Sequence, residues 1–235
     1  MLTKVKYLKY YSKLLLNNWF QEKDTYAQHG EDKIIEQLVP EGVRSFIDIG
    51  ANDGVLFSNT FKFAKQGAKG LCIEPSTKSY WKLKLNHLFH SRVRSLNLAV
   101  SNYSRILYFE DAGYESVLSK VKNNYEQGLT RVKAVTVRDL WNKFPDYRNT
   151  DLLSIDVEGH ENEVLEGAGS NPLSAKVIIL ETDKANEDEL LSQPCLKHHN
   201  IRFSNGVNLV LTHEKLKCTK RIVLPKGFKE MTVNK

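Results

Sequence analysis

Short apolar runs alternate along this chain with stretches whose apolar positions recur at helical spacing. The segments "RSFIDI" (44–49), "GLCIEP" (70–75, stopped by Pro75), "RSLNLAV" (94–100), "DLLSIDV" (151–157) and "AKVIILET" (175–182) read as strands. Residues 58–66, 77–89, 160–168 and the "EDELLSQ" segment read as helices between them. Parallel neighbours need a crossover, and a crossover helix packs on a sheet face, so this rhythm builds a parallel sheet. Segment 101–137 breaks it: "SRILYFED" and "RVKAVTV" look like strands around a polar loop with Gly113, Asn123, Asn124 and Gly128. "IRFSNGVNLVLTH" reads as a hairpin, because Asn205-Gly206 supplies the positive-φ pair of a tight turn. The expected fold class is α/β: a mostly parallel sheet with an antiparallel C-terminal hairpin strand and helices on both faces. Residues 25–213 make the domain, flanked by a basic amphipathic helical extension (1–24) and a basic tail (214–235).

Charge refines this picture at the ends. The chain carries a formal +6, but residues 1–20 hold four lysines and no acid, and 214–235 hold seven Lys/Arg against two acids. The body between is mildly acidic, so the pI of 9.0 marks no basic face on the domain, and nucleic acid is disfavoured as a partner. In the first twenty residues Leu8, Tyr11, Leu15 and Trp19 share one stripe, with Lys6, Lys9 and Lys13 off it. Such a helix packs on the domain or lies on a membrane surface. No run reaches the ~18 apolar residues a bilayer span needs. Cys72, Cys195 and Cys218 are odd in number and contain no CxxC pair, which points to a reducing compartment. A cytoplasmic setting is expected, with peripheral membrane contact through residues 1–20.

The chemistry concentrates in "DIGANDG" (48–54). Gly50 and Gly54 mark a strand-to-helix turn, but the middle glycine of GxGxxG and the GK[ST] of a phosphate loop are both missing. Asp48 and Asp53 decide the sign: an anion ~4 Å from either is repelled by roughly 1–4 kcal/mol. The ligand is expected to be neutral or cationic. Glu74 closes the second strand 20 residues after Gly54, where an acid in such folds accepts hydrogen bonds from ribose hydroxyls. A free ribose, no phosphate and a positive centre together describe S-adenosylmethionine.

"YAQHGEDKII", "FIDIGANDGVLFSNT", "GLCIEPS", "LAVSN", "LLSIDVEGHENEVLEGA" and "VIILET" resemble, in order and spacing, the FkbM family of S-adenosylmethionine-dependent methyltransferases over about residues 25–183. The resemblance implies a Rossmann-like class I methyltransferase fold with a seven-stranded sheet. It also implies O-methylation of a hydroxyl, commonly on a sugar or polyketide-type metabolite. By the same resemblance Asp48, Gly50, Asn52 and Gly54 form the cofactor loop, with Asp53 inside it, and Glu74 holds the ribose. Ala99–Ser101 lie near adenine, and Gln28, Gly30, Glu31 and Asp32 cover the methionine end.

Candidate catalytic residues cluster in "SIDVEGHENE". Asp156 falls at the carboxyl end of its strand, where open α/β sheets bind ligands and where it also meets the cofactor. Glu158 and His160 follow in the turn, and Glu181 ends the next strand. His160 is the preferred base, since imidazole titrates near working pH. Two carboxylates with His160 are a candidate set for a divalent cation, yet the spacing carries no metal signature and no metal ligand is assigned. The expected substrate is a small molecule or glycan, with a saccharide first. Alternatives are an RNA or protein methyltransferase, or a non-catalytic nucleoside-binding domain.

Overall fold

The computed structural model describes residues 12–110, 120–122, 128–182, 187–218 and 220–231. In chain order, α1 (residues 12–20) and α2 (Glu31–Leu38) precede β1 (Ser45–Ile49), α3 (Phe61–Lys65), β2 (Lys69–Ile73), α4 (Thr77–Asn86) and β3 (Val93–Leu96). Next come β4 (Ala99–Val100), β5 (Arg105–Glu110), β6 (Lys120–Lys122), β7 (Thr130–Val135) and α5 (Val137–Lys143). The chain closes with β8 (Leu152–Ile155), α6 (Glu161–Glu166), β9 (Val177–Glu181), α7 (Glu187–Leu191), β10 (His199–Ser204), β11 (Asn208–His213) and β12 (Lys229–Glu230).

Strand alternation sorts the core into two layers. Ile47 and Ile49 of β1 pack with Val137, Leu140, Val164, Leu165 and Leu190, so α5, α6 and α7 cover that face. Phe46 packs with Ile34, Ile35, Phe63 and Leu83, so α2, α3 and α4 cover the other. Phe46 is fully buried, and a Cβ on Gly70 would lie 2.3 Å from its ring, so β2 needs a glycine opposite β1 here. Truncating Phe46 to alanine costs about 3–5 kcal/mol.

The main sheet runs β12-β10-β11-β9-β8-β1-β2-β3. From β9 to β3 every pairing is parallel, while β11 and β10 join antiparallel. The α/β class, the parallel sheet, the antiparallel hairpin and the helices on both faces all stand as the sequence reading has them. The strand count does not: eight strands replace the expected seven, because β12 adds to β10.

Three further differences follow from local chemistry. The expected strand 94–100 divides at Asn97, whose side chain donates to the carbonyls of Glu74 (2.9 Å) and Pro75 (3.0 Å). Beyond that break Ala99–Val100 leave the main sheet and pair with Ala134–Val135 in a second sheet, ordered β4-β7-β5-β6. Helix α5, absent from the sequence reading, begins at a capping box in which Thr136 and Asp139 satisfy each other's backbone N–H. Residues read as a basic tail pack on the domain: Val223 and Gln37 exchange hydrogen bonds of 2.7 and 2.9 Å, and Phe228 is buried. Gly113, Asn123, Asn124, Leu8 and Tyr11 lie outside the described residues.

Candidate active site

A cavity of about 430 Å³ opens at the carboxyl ends of β1, β2, β8 and β9, the end of a parallel sheet where crossover loops converge. Its floor is a close approach of two turns. Gly50 adopts φ +89°, and a Cβ there would sit 1.7 Å from the Asp156 carbonyl oxygen, so only glycine lets β1 and β8 end side by side. Asn52 (φ +48°), Phe57 (φ +58°) and Glu158 (φ +57°) are left-handed without being glycine, and each lines the cavity. Backbone held in this sparsely populated region clusters at ligand sites.

Five carboxylates line the cavity, those of Asp48, Glu74, Asp156, Glu158 and Glu181, and among the described residues no lysine or arginine does. Glu74 is fixed by two backbone donors, the N–H of Asn52 (2.8 Å) and of Ser76 (2.7 Å). Asp48 lies beneath the turn on the α3 side, where Thr60 Oγ1 donates to it at 2.6 Å. Burial pushes its pKa up to about 6, against the pull of hydrogen bonds from Thr60 and Ser154. Asp156 and Glu181 hydrogen-bond to each other. Burial first, and then the Asp156 charge, lifts Glu181 to about 8, while burial lifts Asp156 to about 6. The two carboxyl groups therefore keep one proton between them through neutral pH.

The oxygens of Asp156, Glu158 and Glu181 lie within 4.8 Å of one another, a donor set that suits a hard cation. His160 is not in that group, which corrects the expected combination of two carboxylates with His160. It lines the cavity, but its Nε2 lies 3.0 Å from Ser101 Oγ and its Nδ1 3.4 Å from Glu163. Burial lowers its pKa, so the ring is held neutral between the two partners.

Of the expected cofactor residues, Gln28, Asp48, Gly50, Asn52, Glu74, Ala99 and Asp156 all line the cavity. Six do not. Gly30 backs onto Pro225, and Asp32 is buried and accepts from Thr25 Oγ1 (2.6 Å) and Tyr26 N (2.8 Å). Asp53 turns away and accepts the N–H groups of Val55 (2.9 Å) and Leu56 (2.8 Å), because a short carboxylate caps its own turn. Gly54 backs onto α4, where a Cβ would meet Leu83 at 2.5 Å. Glu31 is buried and accepts from His29 N (2.9 Å) and Asn208 Nδ2 (2.7 Å), tying the entry loop to β11. Ser101 lies fully buried behind His160. Glu181, Leu56, Phe57 and the hairpin residue Val207 complete the wall. The sequence reading passes over Leu56, Phe57 and Val207, since nothing in a loop's composition tells which way it folds over a pocket.

The sequence profile of the Methyltransferase FkbM domain matches residues 48–203. The chain belongs to the FkbM methyltransferase family. Every cavity-lining residue except Gln28, His29 and Val207 falls within the FkbM match. No curated protein matches the chain. Among solved structures it is similar to the FkbM methyltransferase of Methylobacillus flagellatus KT, at 13% identity and TM-score 0.47, covering 73% of this chain and 44% of that one. The chain thus spans less than half the length of that FkbM protein. It is also similar to an O-methyltransferase from Bacillus cereus solved in complex with SAH, at 12% identity and TM-score 0.46 over 88% of this chain and 89% of that one. A precorrin-6y C5,15-methyltransferase from Geobacter metallireducens GS-15 stands at 10% identity and TM-score 0.46, with 82% and 93% covered.

Proposed function

We propose that this FkbM chain is an O-methyltransferase that moves a methyl group from S-adenosylmethionine to a neutral hydroxyl, with a saccharide as the acceptor. The observation that carries this reading is the charge of the cavity wall, five carboxylates with no lysine or arginine among the described residues. A pyrophosphate there would face a wall of like charge, whereas a sulfonium and an ammonium would not. When bound, S-adenosylmethionine supplies a methyl carbon on a sulfur that leaves as a neutral thioether.

The residues of this chain supply the rest. Glu74, held open by two backbone donors, accepts the ribose hydroxyls. Leu98 and Ala99 form an apolar wall for a flat base. The Asp156–Glu181 pair would take the proton of the acceptor hydroxyl, with room for it on Asp156. His160, bonded to Ser101, positions the 157–160 turn rather than receiving that proton. At the mouth, exposed Gln28 stands with Phe57, a carboxamide beside an aromatic ring that suits a neutral polyhydroxylated face.

The test is transfer of labelled methyl from S-adenosylmethionine across panels of glycans, RNAs and peptides. Label on a glycan hydroxyl supports the reading. Label on RNA or peptide alone replaces the acceptor, and binding without transfer to any panel leaves a nucleoside-binding domain.

A further inference from the structure

The face built by α1 and α4 contributes no residue to the cavity and has a character of its own. Phe20 is 71% exposed and Phe89 63%, with Leu16, Trp81 and Leu88 at half or more. The rings of Trp19, Phe20 and Phe89 form one patch. The Trp19 ring lies 4.8 Å from Phe89 and 6.5 Å from Phe20, and Phe20 lies 6.3 Å from Phe89. Leu16 precedes Phe20 by one helical turn, and Trp81 precedes Leu85 in the same way on α4. The patch is also rigid: Trp19 Nε1 donates to the carbonyls of Leu85 and Asn86, both at 3.1 Å, and Asn18 bonds Asn86 at 3.1 Å.

Its charge has a single sign. Residues 12–21 and 76–97 contain no aspartate or glutamate. Lys13 continues the Leu16–Phe20 stripe, and Lys84 Nζ lies 5.2 Å from the Trp81 ring centre. The next acid after α1, Glu22, is paired with Lys65 at 3.3 Å. Among the described residues no helix is long and apolar enough to cross a membrane.

We propose that the α1–α4 face docks the protein on an anionic membrane surface, its aromatic rings entering the headgroup boundary and its lysines meeting lipid phosphates. Aromatic rings flanked by lysine are the composition of interfacial helices, in which apolar insertion and electrostatic attraction act together. A second copy fits less well. Self-pairing would set Lys13 and Lys84 against their own counterparts, and protein interfaces are depleted in lysine. This surface is independent of the methyl-transfer reading.

Co-sedimentation of the intact chain tests it, with vesicles of phosphatidylcholine alone and of phosphatidylcholine containing phosphatidylglycerol. The wild type pellets with the acidic vesicles and much less with the neutral ones. Phe20→Ser with Phe89→Ser lowers the partition coefficient at least about tenfold, with a fall in melting temperature of only about 2–4 °C from the lost ring contacts with Trp19. Lys13→Gln and Lys84→Gln each weaken acidic-vesicle binding by about fivefold, and added salt does likewise. The proposal is overturned if the wild type stays in the supernatant with acidic vesicles, or if the Phe20/Phe89 variant pellets as the wild type does. It is also overturned if sedimentation equilibrium shows a dimer that those two substitutions break.

Discussion

Glu74 and the Asp156–Glu181 pair face the same cavity from different strand ends, yet their surroundings give them different work. Glu74 accepts two backbone N–H groups, which hold its carboxylate in place as an acceptor. Asp156 and Glu181 have each other, and burial holds a proton between them. One side of the cavity thus presents a carboxylate fixed by backbone donors, and the other a carboxyl pair that shares a proton. Residue type is shared, and only the donors within reach differ.

Substitutions separate the two sides. Asp156→Asn should lower kcat by about 10²–10⁴ while leaving cofactor affinity within a few fold, measured by single-turnover transfer beside calorimetry. An unchanged rate would remove the pair from the chemistry. Glu74→Gln should reverse that profile, weakening S-adenosylmethionine binding by about 10–100-fold as charged hydrogen bonds are lost, with a smaller effect on the bound-state rate. Comparable losses in both parameters for both variants would erase the distinction.

A pH series sharpens it further. Unfolded, Glu181 ionises near the ordinary value of 4.5, but in the folded chain near 8. Between those values the native state holds the extra proton, so this group's contribution to stability is lost as pH rises through about 8. The ligand-free melting temperature should fall by about 2–4 °C from about pH 7 to about pH 9, and Glu181→Gln should flatten that fall. A wild-type slope identical to that of the variant would place the proton elsewhere. The smallest effect belongs to Asp53→Ala, which removes a turn cap outside the cavity: about 1 kcal/mol of stability with cofactor affinity within about twofold.

The sheet was legible because its strands are short, apolar and bounded. Ile47, Ile49, Leu153, Ile155, Ile178 and Leu180 fill one core layer and could be read from alternation alone. The division at Asn97 could not, since it depends on where that side chain finds carbonyls 22 and 23 residues earlier in the chain. The packing of Phe228 was equally hidden, because a lone phenylalanine among lysines has no periodicity to follow. In the site, glycine turns and strand-end acids marked Gly50, Glu74 and Asp156 correctly as cavity residues. Asp53 and Glu31 were misplaced because a carboxylate's sequence position does not reveal whether a local N–H captures it. Glu158 and Glu181 stand on the wall where Asp53 was expected.

Calorimetric titration with S-adenosylmethionine and, in parallel, with ATP and NAD tests the charge of the cavity most directly. S-Adenosylmethionine should bind one to one, with no measurable heat from either phosphate-bearing nucleotide at the same concentrations. Binding of ATP or NAD as tight as that of S-adenosylmethionine would contradict a pocket walled by carboxylates.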